Sequence, residues 1–568
     1  MPGLMGFSDK YHKYDENMLC TMRDLLMHSD NYVKDKLFSD ENIYASRTHL
    51  GILDQGEQPY ILNSRFFSWF EGEFYNQKEL KSKYIVTSTT DNELLVNIYN
   101  ATRSFKFLRD IDGCYTAVLY DQEINKVYLI TDRYGFKPLY WRIINEDLAW
   151  SSEVKGFLGH RDFNPVIDVQ SVAEFFNMGY VLENRTWFEK IELVPPASIL
   201  TFDVKKSKIE IQSYWYWNEI EQMKSPIDER ELIESFGLLF KNAVLRHVKN
   251  DEKVGILLSG GLDSRAILAA FPEDYKPLHT FTFGKKQCDD IKIANRISII
   301  KGTYHHIWEL NSNNWLIPRI NFIWRSDGLL NLIHMHGLEF LNKAKLHIEF
   351  CLNGFLAGGS LGGAYIAPSY YNDIGQNHSE EYMIRNRGRR LINQAIITGE
   401  TWLIYRRPFF NKELVDFAFS IPGNLRQGAF IYKKMLLATF SNYYKNIPWQ
   451  KTCYPINCPD LIAKAGRFSV KVKNRISKYF GLELADFRNY TDYPHWIRQE
   501  PGKSFFEKIL RNSKALYQEY ISREKVEKDL DSHLQGNDRA DILCRYLTFE
   551  IWLQQVFEGN YRSNRDLF

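Results

Sequence analysis

Through roughly the first 210 residues, apolar positions come in short runs that alternate with polar ones, a period of two that predicts strands at hairpin spacing. Phe66-Phe67-Ser68-Trp69-Phe70 is one such strand. Asp112-Gly113 turns the chain into a second, Cys114–Tyr120, whose partner Lys126–Thr131 lies across the turn Asp121–Asn125. Thr89-Thr90-Asp91-Asn92-Glu93 interrupts the pattern with a capped helix start. The aromatic run Tyr214-Trp215-Tyr216-Trp217 closes the strand-rich region. From Pro226 to Val248 the period becomes helical, with Leu232, Ile233, Phe236, Leu239, Phe240, Val244 and Leu245 on one face. The change of period divides the chain into a domain over 1–212 and a second over 213–568.

Beyond that boundary strands alternate with helices. Val254-Gly255-Ile256-Leu257-Leu258 is apolar or small throughout, as a strand buried on both faces must be. A helix starts within Leu262–Ala270, capped by Asp263 or Ser264. Pro277–Gly284 is the next strand, Asp289–Lys301 the next helix, Thr303–Trp308 a third strand and Ile348–Leu352 a fourth. Such alternation predicts a parallel sheet with right-handed crossovers. Ligands of such sheets sit at the carboxyl ends of the strands, which gathers Ser259–Asp263, Phe283 and Gly284 at one place. His305 and His306 are strand neighbours that face opposite ways and read as surface and packing histidines, not as a shared metal site. Downstream the pattern is mostly helical. One helix is expected from Arg406–Leu414 to about Ser420, and another from Lys433. Lys464–Lys478 is a basic stretch that reads as a solvated helix face.

Composition narrows the class. A chain of 568 residues exceeds one core. A net charge of +2 argues against a partner that is nucleic acid or a membrane surface. The seven cysteines are odd in number and include no CxxC pair, which suits a reducing cytoplasm and argues against a structural cysteine–zinc site. No basic leader, and no apolar run long enough to span a bilayer, is present.

The candidate chemistry lies in Ser259-Gly260-Gly261-Leu262-Asp263-Ser264. A strand, a glycine turn and a helix start present backbone N–H groups and a positive helix end to an anion. Gly260 and Gly261 let the backbone approach a phosphate closely. Asp263 would repel that phosphate unless it held Mg2+, which takes carboxylate and phosphate oxygens together. The glycine-rich stretch Asn353–Gly363 reads as a second ligand loop.

Taken in order, these segments resemble the asparagine synthetase superfamily. Ser259–Ser264 looks like its ATP-pyrophosphatase loop, and Thr280-Phe281-Thr282-Phe283-Gly284 like its second nucleotide-contacting strand. Asp112-Gly113, Asp132–Tyr140 and Ser152-Glu153 look like its amino-terminal glutaminase-type domain. The resemblance implies a mixed α/β and α+β fold. An Ntn-hydrolase-like αββα sandwich would be followed by an adenine-nucleotide α-hydrolase-like parallel sheet. It also implies ATP and Mg2+ as cofactors, and a carboxylate and an amine, small molecule or peptide, as substrates. Leu258, Ser259, Phe283, Gly284 and Gly354 would contact the nucleotide, while Gly260, Gly261 and Ser264 would cradle pyrophosphate and Asp263 would hold the metal. Lys451 matches the catalytic lysine and Lys433 a second basic position. A homodimer and a biosynthetic partner protein both stay open.

Departures from the family pattern are as informative. Glutamine-hydrolysing members carry a nucleophilic cysteine at position 2, where this chain has Pro2. The oxyanion segment Asn-Gly-Glu-Ile-Tyr-Asn reads Glu71-Gly72-Glu73-Phe74-Tyr75-Asn76, with a carboxylate in place of the amide donor. Both changes predict that glutamine hydrolysis is lost, as in β-lactam synthetases, carbapenam synthetases and lasso-peptide cyclases. Phe355 stands where a glutamate or tyrosine is expected, and Gly358 where a second metal carboxylate is expected, with Asp290 and Asp327 as candidate replacements. The leading expectation is ATP-dependent amide formation through an acyl-adenylate with an amine not drawn from glutamine, including ring closure. A nucleotide-binding scaffold without catalysis and a glutamine- or ammonia-dependent amidotransferase are the alternatives.

Overall fold

A computed structural model describes residues 2–224, 226–249, 252–366, 380–459 and 488–562. Two antiparallel sheets occupy the first part of the chain. One runs Glu192–Leu193, Tyr140–Ile144, Asp147–Ser151, Gly3–Ser8, Ile43–His49 and Val33–Lys34, with Phe38–Ser39 also paired to Ile43–His49. The other runs Lys208–Ser213, Ser198–Asp203, Lys126–Thr131, Gly113–Asp121, Phe66–Phe74 and Tyr60–Leu62. The hairpin expected across Asp121–Asn125 is there, with Asp121 opposite Lys126 and Thr116 opposite Thr131.

Strand alternation explains why the sheets stack. In Phe66–Phe74 the side chains of Phe67 and Trp69 enter the layer between the sheets, with Leu4, Val118, Leu129, Trp150 and Phe202. Phe66, Phe70 and Phe74 face the other way, onto Leu94, Leu95 and Ile98 of the helix Asp91–Thr102. Thr90 caps that helix by accepting from Glu93 N, and Glu93 Oε2 accepts from Thr89 N at 2.6 Å. On the far side, Met18, Leu19 and Met22 of the helix Glu16–Leu25 cover the first sheet. The layers are therefore helix, sheet, sheet, helix.

The second part is built on a parallel sheet ordered Tyr304–Glu309, His279–Gly284, Val254–Leu257, Phe350–Leu352, Ile404–Arg406. Val254–Leu257 lies at its centre, which is why it carries no polar residue. The helix Glu229–Arg246, capped by Asp228, and the helix Asp289–Lys301 follow the predicted periods.

One segment departs from the sequence expectation. Arg406 does not begin a helix; it ends the fifth strand of the sheet. Pro408 holds a short 3-10 turn, and the helix starts only at Lys412, with the Asn411 side chain accepting from Leu414 N. The strand places the Arg406 guanidinium, fully buried, where Glu73 of the sandwich takes it in two bonds of 2.7 and 2.8 Å. A buried guanidinium needs such a partner, and that requirement outweighs local helix propensity.

Several such bonds join sandwich and sheet. Lys137 donates to Glu400 at 2.8 Å, and Lys155 to Asp327 at 3.0 Å. Arg389 donates to the carbonyls of Gly135 and Val194 at 2.8 and 2.6 Å. Among the described residues no helix is long and apolar enough to cross a membrane. The basic stretch Lys464–Lys478 falls outside the described residues.

Candidate active site

The turn after the central strand is ordered by its own side chains. Ser264 Oγ accepts from Ser259 N and lies 3.1 Å from Ser259 Oγ, which accepts in turn from Gly261 N at 3.2 Å. Neither Asp263 nor Ser264 caps the helix Asp263–Ala270 in the expected way. Leu262 holds the capping position with helical dihedrals and no side-chain bond, and Ser264 turns back to the strand end instead. Both serines thus spend their hydroxyls on shaping the turn.

Arg265, fully buried, fixes the turn from behind. Its guanidinium donates to Gly260 O at 3.0 Å and to Pro448 O at 2.9 Å. Gln450 N also donates to Gly260 O, at 3.2 Å. The segment 447–451 is therefore strapped to the phosphate-type turn. A Cβ at Gly260 would lie 2.9 Å from Gln450 Cβ and 3.2 Å from Ile293 Cδ1, so glycine is required there by contact.

Lys451 and Lys433 meet on this strap. Their ammonium groups lie 5.6 and 5.7 Å from the centre of the Trp449 ring, near enough for cation–π attraction. Lys433 belongs to the helix Phe430–Thr439, and Lys451 is exposed on the turn. The structure thus brings both predicted lysines to one indole, a residue for which the sequence offered no signal.

A cavity of about 410 Å³ opens at the carboxyl ends of the strands. Leu258, Ser259, Gly261 and Phe283 line it, as the sequence predicts, together with Thr282, Asn353 and Gln450. Its remaining walls include His336, Tyr490 and Asp290. Gly284 abuts it: a Cβ there would sit 3.0 Å from Tyr490 Cβ. The volume suits a small-molecule site, and polar side chains from Ser259, Thr282, Asp290, Asn353 and Gln450 share the wall with apolar and aromatic ones.

Asp263 sits at the helix start, partly buried, with Tyr432 donating to Oδ1 at 3.0 Å. Burial pushes its carboxyl up to about 6, which the Tyr432 bond only partly offsets. No cation of the described residues lies within ion-pair distance of it. A carboxylate raised by burial is the state a divalent cation would relieve, so Asp263 fits the Mg2+ role expected for it. Gly354 packs against it; a Cβ at 354 would approach Asp263 Cβ to 3.0 Å and Ser264 N to 3.2 Å. Gly354 therefore serves the site by close approach and does not line the cavity.

The two candidate replacement carboxylates separate cleanly. Asp290 lines the cavity and accepts from Gly260 N at 2.8 Å. Asp327 lies elsewhere, accepting from Val154 N, Lys155 N and Lys155 Nζ of the sandwich. Phe355 is buried in an aromatic cluster, 4.9 Å from the Phe136 ring and 5.4 Å from the Phe410 ring. It is a packing residue between sandwich and sheet. Gly358 lies in the short helix Ala357–Ser360 and offers no ligand.

The comparisons with known proteins agree with this arrangement. Residues 1–215 match the model of a glutamine amidotransferase domain, and residues 236–363 match the asparagine synthase model. An amidotransferase-type sandwich followed by an asparagine synthase sheet defines one class of two-domain proteins. The two matches together form the domain pair of the asparagine synthase superfamily, which this chain resembles. It is 29% identical to asparagine synthetase (glutamine-hydrolysing) 2 of Bacillus subtilis, over 56% of this chain and 45% of that protein. It is 31% identical to a putative asparagine synthetase of Methanocaldococcus jannaschii, over 42% and 47%, and 27% identical to the mouse asparagine synthetase, over 45% and 46%. The chain thus spans about half the length of the curated relatives it matches. A solved Bacillus subtilis glutamine PRPP amidotransferase with ADP and GMP overlaps it at TM-score 0.28 and 11% identity, over 54% of this chain and 90% of its own, which is too slight to carry weight.

Proposed function

We propose that this chain forms amide bonds from a carboxylate and an amine at the expense of ATP, with an acyl-adenylate as intermediate and an amine that does not come from glutamine. The observation that supports it most is the junction of three parts: the turn Ser259–Ser264, the cavity it opens into, and the strap carrying Lys451. In the first step a carboxylate oxygen bonds the α-phosphorus of ATP while the α–β anhydride breaks and pyrophosphate leaves. In the second the amine nitrogen bonds the acyl carbon, AMP leaves, and the amine gives up a proton.

The apolar and aromatic wall of Leu258, Phe283, His336 and Tyr490 would hold the base. The start of the helix Asp263–Ala270 would face the phosphates, the N–H groups of Ser259, Gly260 and Gly261 being taken by Ser264, Asp290 and Ser259. Asp263 at the helix start and Asp290 in the cavity wall would be the carboxylates that hold Mg2+, which offsets phosphate charge. Lys451 and Lys433 would stabilise charge developing at the reacting centre. Phe355 can accept no proton, so the amine's proton would pass to another acceptor, Asp290 or His336 of the cavity wall, a phosphate oxygen or water.

Loss of glutamine hydrolysis is supported by the sandwich. Pro2, which leads into the strand Gly3–Ser8, has no nucleophilic side chain. Glu71 lies 3.6 Å from Lys137, and Glu73 is committed to Arg406. The amine would then be ammonia, a second substrate or a group within the carboxylate substrate itself. Ring closure of the last kind gains an effective molarity of roughly 10⁵–10⁸ M in good geometry. The free cysteines fit a reducing, cytoplasmic setting.

ATP–pyrophosphate exchange tests the reading, with aspartate, a mixture of the other amino acids and short peptides as carboxylates. Exchange that depends on Asp263 is expected. Absence of exchange together with absence of Mg-ATP binding by calorimetry would leave the scaffold reading, which the packing role of Phe355 favours. Glutamate released from glutamine above background would refute the amine-source part alone.

A further inference from the structure

The opposite end of the parallel sheet holds a second constellation. His279 begins one strand, His306 lies near the start of the neighbouring strand, and His347 sits in the loop before Phe350–Leu352. One ring nitrogen from each lies within 4.8 Å of the others. His279 Nδ1 and His306 Nε2 are 3.0 Å apart, and the His306 and His347 ring centres are 4.3 Å apart. Strand alternation creates the group: His279 and His306 share a face with Phe281, while His305 points to the other face and pairs with Thr280 at 2.9 Å.

We propose that His279, His306 and His347 form a three-imidazole site for a first-row transition-metal dication, Zn2+ foremost, separate from the nucleotide cavity. Three converging imidazoles are a donor set for Zn2+, Cu2+ or Ni2+ and a poor one for Mg2+ or Ca2+. Bonds of about 2.0–2.1 Å in a tetrahedral site set the ligand nitrogens roughly 3.3–3.4 Å apart, so the His279–His306 pair would open a little and His347 would move in toward it. An adjoining cavity of about 380 Å³, lined by His279, His347, Glu252 and Asp274, admits the ion and the water that would complete its shell. Bound there, the ion would tie the two strands of one edge to the loop on the far side of the central strand, a structural role.

The test uses the full chain without a polyhistidine tag, titrated with Zn2+ against a chromophoric chelator, with Mg2+ as control. One tight Zn2+ per chain is expected, together with a rise in melting temperature and a tetrahedral Co2+ visible spectrum on substitution. His306→Gln and His347→Gln should each weaken binding by more than about 100-fold, since even outer partners of metal ligands are worth 10–100-fold. His305→Gln, on the opposite face, should change nothing. Zn2+ binding by the natural chain no tighter than by His347→Gln, a variant in a half-exposed loop whose folding is checked by its melting curve, overturns the proposal.

Discussion

Replacing Asp263 by asparagine removes a charge and leaves the shape. The carboxyl titrates in the folded chain at about 6, against 3.8 for an ordinary aspartate, because burial disfavours its ionised form. The folded state therefore holds this proton more tightly than the unfolded state. Its contribution to stability is fully present below about pH 4, falls as pH rises toward 6, and stays reduced above. The full difference corresponds to about 3 kcal/mol at pH 7.5. Asparagine keeps the Tyr432 bond on its carbonyl oxygen but leaves an amide N–H₂ short of partners, at about 1 kcal/mol. Asp263→Asn is thus expected to be about 1–2 kcal/mol more stable than the natural chain at pH 7.5 in urea unfolding. About half of the carboxyl's contribution is already lost by pH 5, so the gap should narrow by about 1.4 kcal/mol there. Mg-ATP should raise the unfolding midpoint of the natural chain and leave that of the variant in place. A variant no more stable at pH 7.5, with the same offset at pH 5, would refute the argument that this carboxylate is held in wait for a cation.

Three further outcomes follow from the same contacts. Burial pushes the Glu73 carboxyl up, but Arg406 outweighs it and holds it below its usual value, so its contribution is present above about pH 4.5 and lost as pH falls; Glu73→Gln should cost roughly 3 kcal/mol, the low end for a broken buried pair because Glu252 still holds Arg406, measured by urea unfolding at pH 7. Gly260→Ala drives a methyl into Gln450 and Ile293, and should raise the Kd for Mg-ATP by calorimetry and lower the melting temperature. Lys451→Ala is exposed enough to fold normally and should lower the rate of AMP formation by roughly 10²–10³-fold with ATP binding unchanged; an equal loss of ATP affinity would mean that Lys451 holds ground-state phosphate instead.

Local pattern carried much of the architecture. The continuous apolar run at Val254–Leu258 reads as a buried parallel strand, and Phe66–Phe70 as a strand that the structure extends to Phe74. The turn Ser259–Ser264 was legible because its chemistry is local. What was not legible depends on contacts across hundreds of positions. Arg406 looked like a helix start because its partner Glu73 lies 333 residues away. Asp290 and Asp327 were equivalent candidates until the fold placed one on Gly260 N and the other on Lys155. Arg265, Gln450, Tyr432 and Tyr490 carry no motif, since their roles consist of holding backbone carbonyls, a carboxylate or a cavity wall. His306 was judged against its neighbour His305, when its companions come from two other segments.

Arg406, Arg389 and Lys155 each reach across from one half of the molecule to a group that the other half must supply. A chain shortened to its second half would leave Arg389 without the Gly135 and Val194 carbonyls and Arg406 with Glu252 but without Glu73. The sandwich thus supplies groups that the interior of the second half uses, whatever chemistry the sandwich carries out itself. The frame is held by contacts that involve neither Pro2 nor Glu71.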